Sequence, residues 1–439
     1  MRSFRLKDWR RRGSYYAPDP SFLDIADAEQ SGALPSPPPQ QATTESVCNR
    51  SLTFSMDTDD SSFGKTLLLL WLSYGLAKRE GRAFFIDDSR WVYGRYTSYF
   101  APPPSQGCSP PAPHHILPCP HQARHLVVSA ATASWTFGPG FDEAFVQQRR
   151  HGAEKYQRIY ELARAGFEDL FTLVGEDAGY ARSRIAGMKK DAASHGGSVV
   201  GMQIRRGDQH PLEYQFSRDY LPLERYAAGA RTLFRTLLSG RAPHHATSDL
   251  ADFSTMVEYV HSPLLLASDD PETIAAPELA EAAAPFTVQK AQERILLATK
   301  AALDQTSPVA PIREPGSAYV KHVDENSGWE GGFYSALFHS LGNPKATSAS
   351  GTLERLDSLS SIDSDDDFRA SEQAMRMREL VGRAYLLDLA VLGQSDGVVC
   401  AVSSAACRVL GVMLGWEAVV NNRWINVDDA RPWSWNGER

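Results

Sequence analysis

The chain has 439 residues, enough for two domains of ordinary size, and 42% of them are hydrophobic, which allows a proper core. Its formal net charge is −8, so it lacks the basic excess that general nucleic-acid binding requires. The longest apolar run, Thr66 to Ala77, is too short for a bilayer, which needs about 20 residues. These properties predict a globular protein with no nucleic-acid partner and no visible membrane span.

The N-terminal segment, residues 1–46, is predicted to be a poorly ordered tail because it is rich in proline, as in Pro35-Ser-Pro-Pro-Pro39. Its first residues are basic but precede no apolar stretch, so no signal peptide is predicted. A cytoplasmic location and a truncated gene model are two alternatives that this pattern leaves open. The five cysteines leave at least one thiol unpaired and do not decide the compartment.

The next segment, residues 47–195, alternates helix and strand and is predicted to be an N-terminal α/β domain. The proline-rich stretch 102–120 is predicted to be a loop, and His195-Gly-Gly197 a hinge into the next domain. The predicted elements are a helix at 66–79, strands at 82–86 and 126–129, and helices at 143–174 and 180–193.

The segment 196–439 is predicted to be a second domain with clearer alternation. Strands separated by helices of this length indicate a parallel sheet with crossovers. A stretch rich in serine and aspartate, at about 346–371, is predicted to be a disordered acidic insertion. The predicted strands are 199–204, 264–267 and 397–402, and the helices are 222–238, 372–392 and 404–414.

Two arginines follow the first of these strands, in the order Arg205, Arg206 and then Asp208, with Glu213 five positions further on. Strand ends are where ligands bind in α/β folds, and a guanidinium fits phosphate with two parallel hydrogen bonds. The pattern indicates an anion site with a carboxylate that can act as a base. A surface cluster of salt bridges is the alternative.

Two further positions indicate the same kind of ligand. Ser403 and Ser404 stand between a strand and a helix, where hydroxyls and free backbone N–H groups can bind an anion; simple capping of the helix by serine is the alternative. Asp388 lies in an otherwise apolar helix and needs a partner. It either caps a neighbouring loop or accepts hydrogen bonds from a base such as guanine.

The acidic residues and the cysteine and histidine residues give weaker indications of a ligand site than the arginines and serines. Asp269 and Asp270 follow a strand and either bind a metal or cap the helix that begins at Pro271, of which we favour capping. A zinc site is not predicted at Cys108, Cys119, His121 and His125, because their spacing fits no usual finger and the segment is full of proline.

These segments together resemble glycosyltransferase family 23, which contains the α-1,6-fucosyltransferases. The family's arginine-rich motif is similar to Gln203-Ile-Arg-Arg-Gly-Asp208 with Glu213, and its Thr-Asp-Asp-Pro segment to Ser268-Asp-Asp-Pro271. Its third motif matches Leu387, Asp388, Leu392, Gln394, Asp396, Cys400, Ser403, Ser404, Cys407 and Arg408, and its Trp-x-Tyr segment matches Trp91 and Tyr93. The similarity runs in order over roughly residues 60–435 and is strong only in these islands.

The resemblance implies an α/β protein with a GT-B-like fold, in which two Rossmann-like domains face a cleft. It implies inverting transfer of fucose from GDP-fucose to a glycan, with no metal and no other cofactor, in the Golgi or secretory lumen. An N-glycan is one candidate acceptor. It also implies that Cys400 and Cys407 form a disulfide, which would indicate an oxidising compartment.

The resemblance also implies roles for single residues. Arg205 neutralises the leaving diphosphate, Glu213 accepts the proton of the attacking hydroxyl, and Asp388 reads guanine. The remaining residues of the implied donor site are Tyr93, Gln203, Arg206, Asp208, Asp269, Asp270, Ser403 and Ser404.

The chain departs from the family at two positions, where Gln203 replaces a histidine and Gln209 a basic residue. Two alternatives follow from these changes. One is a nucleotide-sugar or glycan-binding protein without catalysis, and the other is a transferase that uses a different nucleotide sugar.

Overall fold

The structure is a computed structural model that describes residues 15–16, 19–35, 46–56, 63–205, 221–239, 262–270, 272–296, 372–428 and 431–437. Within these residues the protein is α/β with two parallel sheets. The predicted acidic insertion lies outside the described residues, as do Arg206, Asp208 and Glu213 of the implied site.

The first sheet has three strands in the order β2-β1-β3, and both strand pairs are parallel. Leu52 and Phe54 of the central strand are buried because helices cover this strand, so its alternating pattern points apolar side chains into a core. The strands are β1 (Ser51–Ser55), β2 (Ala83–Asp87) and β3 (His125–Val128).

The second sheet has five strands in the order β6-β5-β4-β7-β8, and all four strand pairs are parallel. Every residue of β4 and β7 is buried, which is typical of central strands covered on both faces. The strands are β4 (Val200–Ile204), β5 (Pro263–Ser268), β6 (Thr287–Lys290), β7 (Gly397–Cys400) and β8 (Trp424–Asn426).

Helices connect and cover the strands. No helix among the described residues has both the length and the apolar character needed to cross a membrane. The helices are α1 (Ile25–Gln30), α2 (Phe63–Glu80), α3 (Ala133–Thr136), α4 (Pro139–Phe145), α5 (Gln157–Leu170), α6 (Gly175–Ser194), α7 (Leu223–Ser239), α8 (Pro277–Ala283), α9 (Glu372–Leu392), α10 (Ala405–Leu414) and α11 (Trp416–Val420).

Helices α2 and α5 pack with their backbones in close approach. A Cβ atom added to Gly75 would overlap the backbone of Leu162, and one added to Gly166 would overlap the backbone of Trp71. Glycine is therefore required at both crossing points, because any side chain would push the two helices apart.

The pair α2 and α5 also packs against α10, so the largest hydrophobic cluster includes residues before and after the predicted boundary at 195–196. The Tyr160 hydroxyl donates to the carbonyl oxygen of Gly411 at 2.9 Å. Nη1 of Arg164 donates to the carbonyl oxygens of Val412 and Met413, each at 2.8 Å. The C-terminus of α10 is thereby tied to α5.

Most predicted elements match the structure, and three differences are corrections. The helix predicted at 143–174 is broken, since α4 ends at Phe145 and α5 begins at Gln157 after a 3-10 turn. The predicted poorly ordered tail contains α1, whose N-terminus is capped by Asp24. The short strands β1, β6 and β8 were not predicted, because a strand of three to five residues gives little periodic signal.

Candidate functional site

The candidate site is the carboxyl edge of the five-stranded sheet. The register of β4 places Ile204 beside Ser268 of β5 and Met202 beside Val399 of β7. Because the strands are parallel neighbours, the residues that follow them come out at the same edge of the sheet. Arg205, the aspartates after β5 and the serines after β7 are therefore brought together at this edge.

Arg205 follows the central strand directly and is only 4% exposed. The other residues of the alternative considered above, a cluster of salt bridges with Arg206, Asp208 and Glu213, lie outside the described residues. A charge removed from water is stabilised by opposite charges or hydrogen bonds, and Arg205 is not without such partners.

The turn between β7 and α10 holds the two serines. Ser404 is the N-cap residue of α10, yet its side chain makes no capping hydrogen bond. The hydroxyl oxygens of Ser403 and Ser404 are buried, and neither has a hydrogen-bond partner. Simple capping, the alternative for Ser404, is therefore not what this hydroxyl does.

The turn between β7 and α10 is stabilised by hydrogen bonds with Arg408 and Asn426, to which the sequence assigned no role. Nη1 of Arg408 donates to the carbonyl oxygens of Val402 at 2.8 Å and Ser403 at 3.0 Å. The side-chain oxygen of Asn426 accepts from the backbone N–H of Val402 at 2.9 Å. Arg408 is one of the residues of the third motif named above. Its position one turn into α10 is the sequence feature that could have predicted its contact with the turn.

The disulfide between Cys400 and Cys407 spans the same turn, and it confirms the pairing that the resemblance implied. Cys48 and Cys108 form a second disulfide, which was not predicted. Cys119 is a free thiol, as an odd cysteine count requires.

Two other buried polar residues lie at or just after the ends of neighbouring strands. Gln203, the last residue but one of β4, is 7% exposed, and its side-chain oxygen has no hydrogen-bond partner. Asp270 is 1% exposed; Oδ1 accepts from the backbone N–H of Glu272 at 3.0 Å, but Oδ2 has no partner. Asp270 therefore closes a turn to Glu272 and keeps one oxygen without a partner, while the 3-10 helix Thr273–Ala275 has Glu272 as its N-cap residue and no side-chain capping hydrogen bond.

Asp269 precedes Asp270 and is also buried. Its position after β5 puts it at the same edge as Arg205.

Asp388 lies on α9, beside the end of β6. Its carboxylate accepts a hydrogen bond from the backbone N–H of Gln292. Burial raises the pKa of Asp388 well above its ordinary value, while the Gln292 N–H and the charge of Lys290 act in the opposite direction. The contact with Gln292 corresponds to the first of the two alternatives, a cap on a neighbouring loop.

Tyr93 is not at the strand ends. It is buried in an aromatic group, with its ring 4.8 Å from that of Phe63 and 5.7 Å from that of Trp91. Its backbone oxygen accepts from the Tyr99 hydroxyl. Burial lowers the pKa of Arg378 on α9, and the nearby Tyr93 acts in the opposite direction.

No protein-family model matches this chain, and no curated protein matches it in sequence. Among solved structures, NodZ α-1,6-fucosyltransferase soaked with GDP-fucose is 14% identical, with 83% of this chain and 92% of that chain covered and a TM-score of 0.31. NodZ co-crystallised with GDP is 15% identical, with 82% and 91% covered and a TM-score of 0.31. Fucosyltransferase NodZ from Bradyrhizobium is 14% identical, with 82% and 92% covered and a TM-score of 0.30. Because these TM-scores are low, no property of this chain is inferred from the similarity.

Proposed function

We propose that this chain is an inverting glycosyltransferase of the fucosyltransferase kind, which transfers fucose from GDP-fucose to a glycan hydroxyl. The observation that carries the proposal is the set of buried polar oxygens without partners beside Arg205, on Gln203, Asp270, Ser403 and Ser404. Leaving a buried polar atom unpaired costs about 1–3 kcal/mol, so a ligand that pairs with several of them gains that free energy on binding.

A nucleoside diphosphate fits the chemistry of this edge. Serine hydroxyls and the N-terminus of α10 donate to phosphate oxygens, and the Arg205 guanidinium adds a positive charge. When the glycosidic bond to phosphate breaks, negative charge develops on the diphosphate. Donors held in place before the reaction stabilise that charge in the transition state. We therefore assign leaving-group stabilisation to Arg205, with no metal or other cofactor.

A guanine base fits the far end of the same edge. Asp388 lies beside the end of β6, and Ser404 follows β7, three strands away. Neighbouring strands are about 4.7–4.9 Å apart, so the ends of β6 and β7 are separated by roughly 14 Å, a span suited to an extended nucleotide. In this proposal the Asp388 carboxylate accepts from the base and also keeps the loop at Gln292 in position.

The general base is assigned to Glu213, on its sequence position after Arg205 and Asp208. A carboxylate accepts the proton of the acceptor hydroxyl as that oxygen attacks the anomeric carbon on the face opposite the diphosphate. The configuration at that carbon is thereby inverted. Arg206 and Asp208 are assigned to donor binding with Tyr93 and Asp269, within a GT-B-like pair of Rossmann-like domains facing a cleft.

A nucleotide-sugar-binding protein without catalysis is the second candidate, and Gln203 favours it. Glutamine stands where the family has a histidine, and its oxygen is one of the unpaired buried atoms. An amide presents both a donor and an acceptor, so it can pair with a nucleotide without taking part in proton transfer.

Two disulfides support a secretory or Golgi location, because disulfides persist in oxidising compartments. The proposed acceptor is a glycan, and an N-glycan is one candidate.

The test is ligand-dependent thermal stability of the purified chain with GDP, GDP-fucose, UDP and ADP. A ligand at 100 times its dissociation constant adds about 2.7 kcal/mol to the free energy of unfolding. Stabilisation by GDP and GDP-fucose alone would support the donor assignment. Release of GDP from GDP-fucose in the presence of glycan acceptors then separates the transferase from the silent binding protein, and stabilisation by UDP alone would contradict both the fucosyl donor and guanine recognition.

A further inference from the structure

Three metal-ligating side chains meet between α1 and the proline-rich loop, far along the chain from the strand-end residues discussed above. Nε2 of His115 lies 2.8 Å from Oε2 of Glu29, and Nε2 of His114 lies 3.6 Å from Oε1 of the same carboxylate. The three ligand atoms all lie within 4.8 Å of one another. Two imidazoles therefore converge on one carboxylate.

These separations suit a tetrahedral ion. Zinc binds histidine nitrogen at 2.0–2.1 Å and carboxylate oxygen at 2.0–2.2 Å, so neighbouring ligand atoms around it are about 3.3 Å apart. The two measured distances, 2.8 and 3.6 Å, lie on either side of that value. The two distances end on different oxygens of Glu29, so the carboxylate presents one oxygen to each imidazole.

The histidines are held in place by their turn. They occupy the 3-10 helix Pro113–His115, in which proline sets the backbone angle of the first residue. The backbone N–H of His115 donates to the Ala112 carbonyl at 2.9 Å, and the following Leu117 N–H donates to the carbonyl of His125 in β3 at 2.9 Å.

The glutamate is held by contacts on the other side. Asp24 caps α1 and also accepts from the backbone N–H of Arg124 at 2.9 Å, while the Arg124 side chain pairs with Asp27 at 2.5 Å. Glu29 extends from the next turn of this helix with its carboxylate 15% exposed. Helix α1 and the histidine loop are thus both anchored to the residues around β3. Binding an ion therefore orders few further side chains.

We propose that Glu29, His114 and His115 bind one divalent transition-metal ion of the zinc class, with a water molecule as the fourth ligand. Imidazole nitrogen and carboxylate oxygen are ligands that such ions accept together. The His114 side chain is 39% exposed, which leaves room for water. A hydrogen bond between Glu29 and His115 alone would not explain why His114 points at the same carboxylate. The ion fastens α1 to the loop and takes no part in glycosyl transfer.

The test uses the full-length chain without an affinity tag, titrated with Co²⁺ while its visible absorption is recorded, and then with Zn²⁺ to displace it. Cobalt with nitrogen and oxygen ligands in four- or five-coordinate geometry absorbs far more strongly than hexaaqua cobalt. We expect one Co²⁺ per chain with this absorption, and its loss when Zn²⁺ is added. Glu29→Gln and His115→Gln should each weaken Co²⁺ binding by more than about tenfold, the loss that even outer-shell substitutions cause.

Two controls keep the result interpretable. His114→Gln changes a partly exposed side chain, so it tests the site even where His115→Gln disturbs folding. The double change His244→Gln and His245→Gln removes the other adjacent histidine pair of the chain and should leave Co²⁺ binding as it is. Absence of bound Co²⁺ and Zn²⁺ in the unchanged protein, or wild-type affinity in Glu29→Gln and His114→Gln, would overturn the proposal.

Discussion

Two buried arginines stand beside the two sheets, and their surroundings differ. Arg82 precedes β2 at the amino edge of the first sheet, and Arg205 follows β4 at the carboxyl edge of the second. Nε of Arg82 donates to Glu80 at 2.8 Å, and its Nη atoms donate to carbonyl oxygens at 2.8–3.0 Å, those of His121, Ala123 and Arg124. Near Arg205, by contrast, oxygens of Gln203, Asp270, Ser403 and Ser404 stay unpaired.

The contrast is between a buried arginine whose hydrogen bonds go to the chain itself and a sheet edge that our proposal assigns to a ligand. Arg82 is fully buried and is surrounded by acceptors of the chain itself, so it stabilises the folded state. A group of buried oxygens without partners weakens the folded state unless something else pairs with them. Buried atoms without partners also occur elsewhere among the described residues, and the four at the strand ends of the second sheet are those that the proposal pairs with a ligand.

The largest expected effect is on the proposed chemistry. Glu213→Gln removes the general base, so transfer from GDP-fucose should fall by about 10²–10⁴-fold, while GDP still stabilises the protein. Glu224→Gln, an exposed change in the first turn of α7, is the matched control and should leave both quantities unaltered. Transfer at the wild-type rate by Glu213→Gln would remove this residue from the mechanism.

The two arginines should respond differently to replacement by methionine. Arg82→Met leaves Glu80 buried without this partner, and removing one member of a buried pair costs about 3–5 kcal/mol in the free energy of unfolding. Arg205→Met should instead weaken GDP binding about tenfold or more, since a hydrogen bond to a charged group contributes about 1.5–3 kcal/mol. Urea unfolding and GDP titration of both variants measure this, and unchanged GDP affinity in Arg205→Met would refute its assignment.

Two aspartates, Asp177 of α6 and Asp388 of α9, extend the comparison to pH. Burial would raise the pKa of Asp177, but hydrogen bonds from Arg383 and Arg294 lower it below the ordinary value. Asp177 therefore contributes stability above the pKa of the unfolded chain, about 3.9, and the contribution is lost as pH falls. Asp388 has a raised pKa, so its contribution is present at low pH and is lost as pH rises through the folded-state value.

The asparagine variants should therefore have opposite pH profiles in urea unfolding. Asp388→Asn should gain stability relative to wild type as pH rises above about 4, the ordinary range of an aspartate. Asp177→Asn should lose stability relative to wild type at neutral pH, and the difference should shrink on acidification. Parallel profiles for the two variants would contradict the assigned environments.

The sequence predicted the three central strands of the second sheet, β5, β4 and β7, and missed β6 and β8, because long helices and buried strands leave stronger patterns than short outer strands. The structure begins and ends α9 at Glu372 and Leu392, the predicted limits. It also shows the disulfide that the resemblance implied. Arg205, Ser404 and Asp270 could be placed at one edge from the sequence, since parallel strands align their ends.

Other features depend on contacts that no local pattern encodes. The pairing of Cys48 with Cys108 spans 60 residues and needs the loop to return beside β1. The Glu29, His114 and His115 cluster joins a helix inside the predicted tail to a proline-rich loop, so each part alone carried no signal. That Ser404 does not cap its helix is likewise a matter of side-chain direction, which sequence does not specify.

The smallest expected effects distinguish two buried serines, Ser395 and Ser404, by the free energy of unfolding and the GDP affinity of their alanine variants. Ser395 is buried, and its hydroxyl lies 2.6 Å from the carbonyl oxygen of Leu392 and 2.9 Å from that of Gly397. Ser395→Ala should therefore lower the free energy of unfolding by about 1 kcal/mol and leave GDP affinity as it is.

Ser404→Ala removes a buried hydroxyl that has no partner in the ligand-free protein, so stability without ligand should be unchanged or slightly higher. GDP affinity should fall by about tenfold, because the lost hydrogen bond goes to a charged phosphate. Calorimetric titration measures the GDP affinity, and urea unfolding the free energy of unfolding, of both Ser395→Ala and Ser404→Ala. If Ser404→Ala lost stability and kept its GDP affinity, Ser404 would be a structural residue like Ser395, and the unpaired oxygens would no longer mark a ligand site.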